Sequence, residues 1–200
     1  MGEIQTIAVI GAATPGVTLA LLAAAGGFHT ILEDILPASL RMAEREIRLA
    51  FEGSIARGSS TRSAADAALA RIEYASSVEQ AARAADLVME AVPNELESKI
   101  EILTLLDKVS RPATIFALSS PSFGVAELAA VTYRVEKVLG MRFSFPLEEA
   151  ELEIVRTRET ADETLAACLK AGRRMARKVV VSEEPRLVPV APSPKPPSSR

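Results

Sequence analysis

Residues 6–34, TIAVIGAATPGVTLALLAAAGGFHTILED, constrain this chain more than any other stretch. A β-branched run over residues 6–10 leads into a turn over residues 11–16, and residues 17–25 are rich in alanine and leucine, the composition of a helix. Gly26 and Gly27 stop that helix, residues 29–32 read as a second apolar strand, and the acids Glu33 and Asp34 close it. Strand, glycine turn, helix, strand and acid, in that order, make the first βαβ unit of a dinucleotide-binding fold. In such a unit the helix N-terminus faces a pyrophosphate and a carboxylate past the second strand holds a ribose. Residues 7–32 carry no charge and are numerous enough for a membrane helix. Gly11, Pro15, Gly16, Gly26 and Gly27, however, interrupt the run where a βαβ unit needs turns.

The turn departs from a full G-x-G-x-x-G fingerprint. It reads Gly11, Ala12, Ala13, Thr14, Pro15, Gly16, so the middle glycine is Ala13. That glycine is the one that lets backbone approach the pyrophosphate, and a methyl group there pushes the phosphate away. Pro15 suits the first turn of a helix but has no N–H to give an anion. The helix is expected to form while its phosphate cradle is weakened at both positions.

The net charge of -3 gives no basic footprint and argues against nucleic acid or an anionic membrane surface. Tryptophan is absent and aromatic residues are scarce, which disfavours base stacking. Cys168 is the only cysteine and His29 the only histidine, so neither an internal disulfide nor a protein-built zinc site is expected. Cys168 reads as core packing. The N-terminus, MGEIQT, has no basic or cleavable apolar segment, which predicts a cytoplasmic protein.

Residues 37–57 form an amphipathic helix with Leu40, Ala43, Ile47 and Phe51 on one face. A polar link and short helix over residues 58–70 lead to a strand at residues 71–74. Ser77 and Gln80 make a capping box for the next helix. Residues 87–92 are a strand; Asn94 with Glu97 caps a helix whose buried stripe is Leu96, Ile100, Leu103 and Leu106. Strands follow at residues 113–118, 135–145 and 151–155. Thr160 and Glu163 cap a helix through Met175 with Leu165, Cys168 and Leu169 inward, and residues 178–181 close the fold as a strand. This alternation predicts an α/β, Rossmann-like, doubly wound and mainly parallel sheet with helices on both faces, over residues 1–184. Residues 185–200 hold six of the twelve prolines and are expected to be a disordered tail.

Over residues 4–188 the chain resembles the N-terminal, NAD-binding domain of the 3-hydroxyacyl-CoA dehydrogenases. The matching words are IAVIGAATPG, LED at the second strand, DLVMEAVPNELESK at residues 86–99, ATIFALSSPSFGVAELA from Ala113, VLGMRFSFP from Val138, and EEPRLV at residues 183–188. The resemblance implies transfer of hydride from a 3-hydroxyl to NAD, with a histidine base, a glutamate that orients it, and a serine and an asparagine on the substrate oxygen. At the histidine position this chain has Arg142, which stays protonated at any working pH and cannot be that base. The serine position is Pro121 and the asparagine position Ser119. A second asparagine has become Phe145, and a glutamate near the cofactor has become Asn94. Glu153 matches the orienting glutamate if one residue is deleted between Phe145 and Glu151. The cofactor contacts carried over are Gly11, Ala13, Thr14, Gly16, Asp34, Lys99 and Ser119. His29, at the amino end of the sheet, is no substitute base. The family's helical second domain is expected to be missing, with the proline tail in its place.

A catalytically impaired relative that holds NAD weakly, or has lost it, is therefore expected, with a dinucleotide or an acyl-CoA-like small molecule as partner. Two other functions fit the same residues. One is an interaction module acting through residues 185–200, where residues 189–192 and 194–197 have the P-x-x-P form. The other is a half-enzyme completed by another chain.

Overall fold

The computed structural model describes residues 2–119, 123–144 and 150–184. Its first unit is β1 (Thr6–Ile10), α1 (Thr14–Ala25) and β2 (His29–Glu33). There follow α2 (Pro37–Ala56), α3 (Arg62–Leu69), β3 (Ile72–Ala75), α4 (Val78–Ala84) and β4 (Leu87–Glu90). Then come α5 (Leu96–Val109), β5 (Ile115–Leu118), α6 (Val125–Ala129) and β6 (Val138–Phe143), and finally β7 (Glu151–Arg156), α7 (Asp162–Met175) and β8 (Lys178–Glu183).

The strands form one sheet in the order β3-β2-β1-β4-β5-β6-β7-β8. From β3 through β6 all neighbours are parallel, because each successive strand is reached over a helical crossover. The link from Phe143 to Glu151 is too short for such a crossover, so β7 runs antiparallel to β6, and β8 then pairs parallel with β7 across α7. Alternation along each strand divides the core. Ile7, Val9, Leu32, Leu139 and Ile154 pack with α1, α2, α3 and α7, whereas Ala8, Ile10, Ile31, Val88 and Phe116 pack with α4, α5 and α6. Helix α1 is buried from Gly16 through Ala24, which explains why it carries no polar face. Residues 7–32 are thus divided between strand, turn, helix and strand, and no helix among the described residues is long and apolar enough to cross a membrane.

Five local expectations need correction. Strand β4 ends at Glu90 rather than Val92, and α5 starts at Leu96 with Glu95, not Asn94, at its cap. The Glu95 N–H bonds the Pro93 carbonyl at 2.8 Å, and this turn carries the chain one residue further before the helix begins. The buried face of α5 is Lys99, Leu103 and Leu106, while Leu96 and Ile100 are each 37% exposed. A buried partner for Lys99 turns the helix so that these two leucine-type positions face outward. Thr160 does not cap α7, whose cap is Ala161; its hydroxyl donates to the Val138 carbonyl at 2.9 Å and accepts from the Thr157 N–H at 3.0 Å, tying the loop to β6. Residues 135–137 are a 3-10 turn, so the strand expected from residue 135 begins at Val138. The tail over residues 185–200, Pro121 and Phe145 lie outside the described residues.

Candidate functional site

The strand order reverses between β1 and β4, and a crevice opens at their carboxyl ends, where ligands of open α/β sheets sit. Its floor is the turn over residues 11–16. Gly11 has φ of 103°, and a Cβ there would stand 2.8 Å from the Ala91 carbonyl oxygen. A Cβ on Gly16 would lie 1.8 Å from the Gly11 carbonyl oxygen. Both glycines are therefore demanded by chain packing, whatever the crevice holds. Ala13, exposed at the cap of α1, stands where a ligand would approach. The first helical bond runs from the Val17 N–H to the Ala13 carbonyl at 3.0 Å. The amides of Ala13, Thr14 and Gly16 precede it, and Pro15, in the same turn, contributes none.

Two clefts flank this turn and share Ala13, Ala91, Val92 and Pro93 as a common wall. One, of about 360 Å³, is lined by Gly11, Glu33, Asp34, Val78, Glu101 and Ile102. Asp34 accepts from the Ala12 N–H at 3.1 Å and from the Leu36 N–H at 2.9 Å, so the acid at the end of β2 also fixes the glycine turn. Glu33, only 2% exposed, has no partner for Oε1, and burial together with the Asp34 carboxylate pushes its carboxyl up to about 7.

The other cleft, of about 420 Å³, is lined by Pro15, Thr18, Asn94, Lys99, Ser119 and Arg142. At its base Lys99 Nζ donates to both carboxylate oxygens of Glu90, at 2.9 and 2.8 Å, in an ion pair whose side chains are 2% and 1% exposed. Glu90 also accepts from the Val92 N–H at 2.9 Å, and the Ser119 hydroxyl donates to the Glu90 carbonyl at 2.7 Å. Lys99 and Ser119 thus join the ends of β4, β5 and α5 beneath the cleft. Glu90 had no assigned role in the sequence; the signal was an acid ending the otherwise apolar strand LVME, nine residues before a lysine on a helical face.

Arg142 and Glu153 face each other across β6 and β7, with Nη1 and Oε2 3.5 Å apart. Glu153 also accepts from the Ser182 hydroxyl at 2.6 Å. His29 sits at the amino end of β2, 3.4 Å from Glu73 and remote from the crevice. Cys168 is fully buried, and burial pushes its thiol up to about 12, the environment of an inert core residue.

A doubly wound sheet with paired clefts about a helix N-terminal turn defines a nucleotide-binding α/β domain. The chain belongs to the family of the 3-hydroxyacyl-CoA dehydrogenase NAD binding domain, whose model matches residues 6–185. It is 30% identical over 179 residues to a probable 3-hydroxybutyryl-CoA dehydrogenase of Bacillus subtilis, covering 89% of this chain and 62% of that protein. It is 32% identical over 166 residues to the 3-hydroxyadipyl-CoA dehydrogenase of Escherichia coli, covering 82% of this chain and 35% of the relative. Among solved structures, the (S)-3-hydroxybutyryl-CoA dehydrogenase of Ralstonia eutropha superposes with a TM-score of 0.87 at 27% identity, over 92% of this chain and 65% of that one. The chain therefore spans less than two thirds of the length of these relatives.

Proposed function

We propose that this chain binds NAD weakly across the two clefts and does not by itself oxidise 3-hydroxyacyl-CoA. The observation that carries the binding half is the meeting of the clefts at the Gly11–Gly16 turn, with Asp34 at the outer end of one and Lys99 at the base of the other. The turn fits a pyrophosphate in outline, with the amides of Ala13, Thr14 and Gly16 for its oxygens, and lacks the amide that Pro15 cannot supply. Each Asp34 oxygen accepts a single backbone N–H and has a second lone pair for a ribose hydroxyl. When bound, NAD would supply the hydride acceptor.

The residues support the other half through Arg142. A guanidinium beside Glu153 holds the place that the family resemblance gives to a base, and, being already protonated, it cannot accept a proton. If one residue is deleted between Phe145 and Glu151, Glu153 takes the place of the family's orienting glutamate, opposite Arg142 across β6 and β7. The interaction-module alternative rests on residues 185–200, which lie outside the described residues.

NAD is expected to bind about tenfold or more tightly than NADP, because a 2′-phosphate would meet the carboxylates of Asp34 and Glu101 in a cleft lined by no cation among its described residues. Calorimetric titration with each nucleotide under identical conditions tests this. Tighter binding of NADP would defeat the assignment of Asp34 to the ribose, and binding of neither would defeat the dinucleotide reading.

A further inference from the structure

We infer that Glu33 is a second recognition group of the Asp34 cleft, one that holds the adenosine half of the ligand while its carboxyl is neutral and releases it on ionising. This rests on the dinucleotide reading above and goes beyond it by assigning a role to a residue other than the ribose acid.

Alternation along β2 puts Ile31 and Glu33 on the sheet face covered by α4 and α5, with Ile10 and Ala75 as the neighbours of Glu33 across the ladder. Glu33 is therefore an acid at a core position, 2% exposed, lining the cleft with Oε1 unpartnered. Native interiors rarely leave a buried oxygen without a partner, and a ligand hydroxyl or base nitrogen in this cleft would supply one. A protonated carboxyl both donates and accepts, so it can match either.

Among the described residues that line the cleft with it, the charged groups are all acids. Asp34 follows it in the chain, and Glu101 reaches the same cleft from α5; β1 contributes Ile10 and Gly11, α4 contributes Val78, and Ser98 of α5 is uncharged. Burial and Asp34 already bring Glu33 to about 7. A bound nucleotide would displace the remaining water and bring phosphate charge closer, and both changes favour the protonated form further. Binding near neutrality then takes up a proton. Affinity is fully present below pH 7 and falls as the pH rises through it, by about tenfold at pH 8 if only the neutral form binds.

The test is calorimetric titration of NAD, which has no group titrating between pH 6 and 8, into the full chain at both pH values and in buffers of different ionisation enthalpy. Wild type is expected to bind about tenfold more weakly at pH 8, with net proton uptake. Glu33→Gln should bind equally at the two pH values, close to wild type at pH 6; Glu33→Val, which matches the apolar wall, should likewise lose the pH dependence. A flat wild-type profile, or an undiminished slope in both variants, would overturn the inference while leaving NAD binding intact. Absence of binding by every protein at both pH values would overturn the dinucleotide reading and this inference with it.

Discussion

Replacing Lys99 by methionine is expected to lower the stability of the domain by about 3–5 kcal/mol, the usual loss when one partner of a buried ion pair is removed. Lys99 and Glu90 are essentially inaccessible, and the lysine donates to both carboxylate oxygens, so its loss strands a carboxylate in the interior. Methionine matches the stem of the lysine and limits the cavity contribution. The loss should be recovered in large part by adding Glu90→Gln, whose amide oxygen still accepts from the Val92 N–H and carries no charge. Denaturant unfolding of the wild type and the two variants checks both statements. A loss below about 1 kcal/mol for Lys99→Met would mean that the pair is relaxed by water, as exposed pairs are. The same pair holds residues 91–93, the wall common to both clefts, so the single variant should also weaken any ligand of the crevice.

Oxidation of 3-hydroxybutyryl-CoA by this chain is expected to fall below detection. Loss of a general base alone removes on the order of 10²–10⁴ in rate, and the family resemblance assigns the base position to Arg142 and an oxygen-binding position to Ser119. The Ser119 hydroxyl is already engaged by the Glu90 carbonyl. Arg142→His would place an imidazole opposite Glu153, yet with Pro121 where the resemblance puts the serine it should recover little. Steady-state NADH formation, measured with protein free of host dehydrogenases, decides the matter. Turnover that scales with this protein and survives further purification would contradict the expectation.

The sheet and its helices were largely legible because apolar periodicity and glycine punctuation act locally. Residues 6–34 and the face of α2 are clear cases, with Ala43, Ile47 and Phe51 buried as their spacing requires. The α5 face was misjudged because its orientation is set by an ion pair to another element. Hydrophobicity placed Leu96 and Ile100 inside, whereas Glu90 draws Lys99 there instead. Thr160 was misjudged for a related reason: its hydroxyl bonds β6, a partner distant in sequence. At the site, Asp34, Lys99 and Ser119 do lie around the crevice, but the packing of Lys99 and Ser119 against Glu90 depends on three chain segments meeting. Glu33 was visible as half of an acidic pair. Its burial follows from strand register, which composition does not convey.

The phosphate cradle offers the most direct test of the account. A charge-assisted hydrogen bond contributes about 1.5–3 kcal/mol, so the amide missing at Pro15 should weaken NAD by roughly ten- to a hundredfold, toward high-micromolar or millimolar dissociation constants. The methyl group of Ala13, exposed at the cap of α1, adds to that loss. Calorimetric titration of NAD into the wild type and into the Ala13→Gly, Pro15→Met double variant measures both. The variant is predicted to bind about ten- to a hundredfold more tightly at unchanged thermal stability; equal affinity in the two proteins would contradict the cradle argument, and absence of binding in both would remove the crevice as a dinucleotide site.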